Sequence, residues 1–216
     1  MRIAVHLSIV SSVVLLGTLA VSAQTDEILP VTGRPSPDTP QYHFQIACLS
    51  CQNGNQGIAA RQMRNALKLL KQEATRATAN GKTALNRSIH ELEHLADAME
   101  RGKASSIEDV KAAFARAQYA LAYHHQQRAS ESLLRRNFKQ AGEDLKAASY
   151  DIEYGLAWTG EGVEMKSRDV IVATRNLGNT LIGGAKIDVQ HIDAQARMLG
   201  SELRRFGGQI VRPVQR

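Results

Sequence analysis

Beyond residue 57, apolar residues recur every three to four positions, the period of an amphipathic helix. Ala59, Met63, Ala66, Leu67, Leu70, Ala74 and Ala77 form one stripe over 58–79, followed by the stop signal Asn80-Gly81. Leu85, Ile89, Leu92, Leu95, Ala96 and Met99 form a second over 83–101, closed by Gly102. Ser105 with Glu108 makes a capping box for a third helix over 106–136. A fourth stripe runs through Phe138, Ala141, Leu145, Ala148, Ile152 and Leu156, and the run Thr159-Gly160-Glu161-Gly162 breaks it. A fifth helix reaches Gly183-Gly184. A sixth carries Val189, Ile192, Ala196, Leu199, Leu203 and Phe206 and stops at Gly207-Gly208. No stretch alternates with period two. The pattern predicts an all-α bundle of five or six helices with short loops over 58–208.

Two helices do not fit a single buried stripe. In the third, Ile107, Val110, Phe114, Ala117 and Leu121 continue in phase to His124, Arg128 and Glu131, all polar. Its later apolar residues, Tyr119, Tyr123, Ala129 and Leu133, lie on nearly the opposite side. Either the helix changes packing partner near Tyr123 and leaves the three polar residues in solvent, or they form a buried cluster and a ligand site. The expense of burying charge favours the first reading. The fourth helix carries a second stripe, Ala147, Tyr150, Tyr154 and Trp158. That predicts a central helix packed on two sides, or an aromatic wall for a ligand or partner.

The residues before the bundle read differently. Arg2, the almost uncharged run Ile3 to Leu19 and the small residues Val21-Ser22-Ala23 predict a secretory signal peptide over 1–23, cleaved before Gln24. Residues 24–42 hold most of the prolines and read as an extended linker. Residues 43–57 read as a turn-rich loop holding Cys48 and Cys51, and 209–216 as a basic tail. These signals predict an exported protein, periplasmic or secreted, with no transmembrane segment after signal removal.

Composition adds little. Aromatics make up 5% of the chain, which suits close-packed helices. The formal net charge of +6 is spread among acidic residues along the helices. No nucleic-acid motif accompanies it, and no serine nucleophile or phosphate-binding glycine loop appears.

Residues Tyr123 to Ile152 locally resemble one tetratricopeptide hairpin, with Asn137-Phe138 at the turn and Ala141, Leu145 and Ala148 at packing positions. The resemblance implies a helical hairpin and no function, because a lone copy builds no solenoid.

Two short motifs carry chemistry. His90-Glu91-Leu92-Glu93-His94 spells H-E-x-x-H, in which two imidazoles one turn apart bind zinc and the glutamate polarises a bound water. Here His90 and His94 point about 160° from the centre of the apolar stripe, on the solvent side of the helix. A third ligand would have to come from elsewhere, from His124, His125, Glu131 or His191. Cys48 and Cys51 form C-x-x-C, which after export predicts a local disulfide. The function expected is that of an exported, non-enzymatic helical-bundle protein, binding, chaperone-like or envelope-associated, with no cofactor and with an unknown protein or small-molecule partner. The alternative is a metal-dependent hydrolase with zinc on His90, Glu91 and His94.

Overall fold

A computed structural model of the chain describes residues 35–103, 105–160, 163–185 and 188–211. The expected signal peptide and most of the expected linker and basic tail lie outside them. The described residues form seven helices and no strand: α1 (Pro40–Gln52), α2 (Gln56–Thr75), α3 (Ala79–Glu100), α4 (Ile107–Leu134), α5 (Phe138–Thr159), α6 (Met165–Ile182) and α7 (Val189–Val211). None is long and apolar enough to cross a membrane.

Three boundaries differ from the sequence reading. The loop expected over 43–57 is helical as far as Gln52. Pro40 opens α1 at a position where its missing N–H costs nothing. The buried set Gln41, Phe44, Ala47 and Cys48 then follows the helical period. Asn80-Gly81 does not stop α2, which ends at Thr75. The pair lies in the first turn of α3, whose N-cap Thr78 accepts a hydrogen bond from the Gly81 N–H. Nor does α7 stop at Gly207-Gly208. A Cβ on Gly207 would come within 2.8 Å of the Tyr119 ring, so the glycine lets α7 lie close against α4.

Several helix ends share one device. Gly54, Gly102 and Gly184 take positive φ just past α1, α3 and α6, and α4 ends the same way on Arg136 at φ 56°. There the Asn137 N–H donates to the Ser132 carbonyl at 2.8 Å and the Arg136 N–H to that of Leu133 at 3.0 Å. This is a Schellman turn with arginine where glycine fits best.

Consecutive helices pack side by side, and longer-range contacts join α1 to α4 and α7 to both α4 and α5. Two apolar clusters result. The first gathers α1 to α4, with Phe44 stacked on Phe114 at 4.4 Å and Trp158 of α5 set edge-on to Phe114. The second gathers α5, α6, α7 and the later part of α4, around Leu145, Ile152, Leu199 and Phe206. Helix α4 serves both. Val110, Phe114, Ala117 and Leu121 face the first cluster, while Ala122 and Ala129 face the second, with Tyr119, Tyr123 and Leu133 packed against it. The packing partner therefore changes near Leu121–Tyr123.

Candidate functional site

The change of partner does not leave His124 in solvent. The favoured expectation fails there, because Gly81 in the first turn of α3 packs against the imidazole and Glu73 near the end of α2 partners it. His124 has no exposed surface, and its Nε2 stands 3.3 Å from Glu73 Oε2 on α2. His125 points between two buried carboxylates of α5. Its Nδ1 is 3.5 Å from Asp144 Oδ1 and its Nε2 3.7 Å from Asp151 Oδ2. Asp144 also receives a hydrogen bond from Gln140 at 3.2 Å and stands 3.6 Å from Arg128 Nε. Gln41 of α1 donates to Asp151 Oδ1 at 2.7 Å and to Gln118 Oε1 at 3.3 Å.

Several polar atoms in this cluster are buried and make no hydrogen bond: His124 Nδ1, His125 Nδ1, Asp151 Oδ2, Gln118 Nε2 and Gln41 Oε1. Burial, reinforced by the Glu73 charge, pushes the Asp151 carboxyl well above the usual carboxylate range, against the pull of the Gln41 hydrogen bond. Burial also raises Glu73. The hydrogen bond with His124 and the charges of His125, Arg76 and His124 outweigh it, and the net shift is downward. The two carboxyls thus sit in opposite environments a short distance apart.

The cluster opens on a cleft of about 440 Å³, bounded by the segment leading into α1 and by α2, α4 and α5. Asp38, Gln41, Glu73, His125 and Asp151 line it. Ala147, Tyr150 and Tyr154 of the second α5 stripe form one wall, and Arg175 lies 4.0 Å above the Tyr150 ring. Trp158, the last member of that stripe, belongs to the core instead.

Of the three polar residues expected in phase on α4, His124 and Arg128 belong to the cluster. Glu131 is exposed and pairs with Arg135 at 3.8 Å. The H-E-x-x-H residues lie on a different helix. His90 and His94 are exposed, with their Nε2 atoms 3.0 Å apart. Glu91 is held by Arg116 of α4, whose Nε donates to both carboxylate oxygens at 3.0 and 2.9 Å. Among the described residues, the one group of three or more potential ligands close enough to share an ion is Glu73, His124 and His125, so no third ligand joins His90 and His94. Cys48 and Cys51 are unbonded, contrary to the expected disulfide. Their stretch is regular helix. Cys48 is buried in the first cluster, while the Cys51 thiol turns to Met99 Sδ on α3 at 4.0 Å.

Glu73, Asp144, Asp151, Gln41 and Gln118 were not singled out from sequence. The signal was present. Glu73 sits three residues after Leu70, and Asp144 and Asp151 flank Ala148 at helical spacing, so acidic residues occupy buried phases of apolar stripes. Comparison with protein-family models, curated proteins and solved structures finds no match to this chain.

Proposed function

We propose that the chain is an exported, non-enzymatic helical-bundle protein that binds a small cationic ligand in the cleft between α1, α2, α4 and α5. The observation that carries this reading is the pair Asp151 Oδ2 and His125 Nε2, 3.7 Å apart at the cleft, with Asp151 Oδ2 unpartnered in a nine-tenths buried side chain. A buried polar atom without a partner costs free energy unless something completes it. Asp38 and Glu73 make the lining acidic, Asp151 adds a carboxyl oxygen without a partner, and Tyr150 and Tyr154 supply aromatic surface. Carboxylates beside aromatic faces attract cations.

The hydrolase reading gains no such support, since Glu91, which would act as general base, is engaged by Arg116. Thermal denaturation in the presence of putrescine, spermidine and divalent metal ions tests the proposal. At least one of them should raise the melting temperature, and Asp151→Asn should reduce that gain. No shift with any of them would refute it.

A further inference from the structure

We infer that Glu73, His124 and His125 form a binding centre for a first-row divalent transition-metal ion, with Asp151 as a fourth ligand. The inference rests on the cleft being the ligand site and names the class of cation. Each of the three residues offers a ligating atom within 4.8 Å of the other two. One pair, His124 Nε2 and Glu73 Oε2 at 3.3 Å, already matches the ligand–ligand edge of a tetrahedral site, about 3.4 Å for bonds near 2.1 Å. His125 completes the group of three, and Asp151, which stands outside it, would have to turn toward it to become the fourth ligand.

The surroundings fit the same centre. Asp144, fixed by Gln140 and beside Arg128, stands at Nδ1 of His125. The two are 3.5 Å apart and make no hydrogen bond, but a carboxylate on that side favours the proton at Nδ1 and leaves the other nitrogen for an ion, the orientation that outer carboxylates give metal-bound histidines. The free nitrogen, Nε2, faces Asp151 Oδ2, the oxygen without a partner. Gln41 holds the other oxygen, Oδ1, at 2.7 Å and so aims Oδ2. The cleft gives an ion a path in, because Glu73, His125 and Asp151 all line it.

The donor set decides the class. Two imidazoles with carboxylates suit zinc and its first-row neighbours, whereas calcium and magnesium take oxygen ligands. His90 and His94 offer a competing pair on the surface, so the test must separate the two places.

The full chain, stripped with chelator, is titrated with Zn²⁺ by calorimetry, and Co²⁺ uptake is followed by visible absorption. One equivalent of Zn²⁺ should bind, and Co²⁺ should give the intense bands of a low-coordinate site. Glu73→Gln and His125→Gln should each weaken Zn²⁺ at least about tenfold, with the fold checked by circular dichroism. Both side chains are partly exposed, so they carry the test even if variants at the fully buried His124 do not fold. His90→Ala with His94→Ala should leave the equivalent in place. Zn²⁺ binding that survives Glu73→Gln and His125→Gln, or that disappears in the His90/His94 variant, overturns the inference. Putrescine or spermidine binding without Zn²⁺ binding sinks the metal centre and keeps the cationic cleft. Binding of none of these probes sinks both.

Discussion

Asp151 Oδ2 and His125 Nε2 face each other at 3.7 Å without forming a hydrogen bond, and the carboxyl between α1 and α5 is nearly inaccessible. The Asp151 carboxyl is raised by burial and by Glu73, so the folded chain holds this proton after the unfolded chain has lost it near pH 4. Its contribution is complete below that pH and declines as pH rises toward the folded value, by up to about 1.4 kcal/mol per pH unit. Glu73 acts in the opposite sense, since its lowered carboxyl adds stability that is lost as pH falls through the acidic range. Asp151→Asn keeps an acceptor for Gln41 and removes the ionisation. In chelator-treated protein it should be more stable than the parent at pH 7 and equal to it near pH 4. Urea denaturation at the two pH values measures this.

The contact between α5 and α6 depends on two glycines. A Cβ on Gly142 would lie 2.6 Å from the Gly178 carbonyl oxygen, and one on Gly178 would lie 2.7 Å from that of Gly142. Backbone cannot yield as a flexible side chain does. Gly142→Ala should cost about 2–3 kcal/mol in chemical denaturation. Arg136→Gly should move stability the other way, by about 0.5–1 kcal/mol, because it relieves the left-handed arginine that ends α4.

The H-E-x-x-H helix should tolerate loss of its histidines. His90→Ala with His94→Ala removes two exposed rings and should change stability by no more than about 0.5 kcal/mol. Glu91→Ala breaks the ion pair with Arg116 and should cost somewhat more, up to about 1 kcal/mol, since both partners are partly solvated. Thermal melts of the two variants side by side would show the order.

The thiols should react slowly in the native protein. Burial, with a smaller effect of Cys48, pushes the Cys51 thiol up to about 11, and burial raises Cys48 as well. At pH 8 only about one Cys51 in a thousand is then thiolate, the form that reacts. Iodoacetamide should leave both cysteines largely unmodified in the folded chain and label both after denaturation without reductant. Peptide mapping reads the result, and a linked Cys48–Cys51 peptide would show that the helix closes a disulfide after all.

Helix positions were legible wherever an unbroken apolar stripe met a terminator, as from Leu85 to Met99. They were not where a polar residue is buried. Helix α1 was hidden because Gln41 and Ser50 occupy inward positions and because Cys48 and Cys51 suggested a loop. The cluster was legible in two members, His124 and Arg128, through the phase of α4. Glu73 and Asp151 could not be joined to it, since their partners are 51 and 110 residues away and a stripe shows which side is buried but not what covers it. The outward face of the H-E-x-x-H motif was legible too, from the phase of the stripe Leu85 to Met99. Its spacing is met, but the helix turns it outward.

Helix α4 lends its early residues to one apolar cluster and its later residues to the other, and His124 and His125 stand just past the point of exchange. Neither cluster can come apart without stripping one flank of the same rod. Melting should therefore be cooperative across the two halves, and an occupant of the cleft should protect α6 and α7 from hydrogen exchange although neither is among the helices that line it.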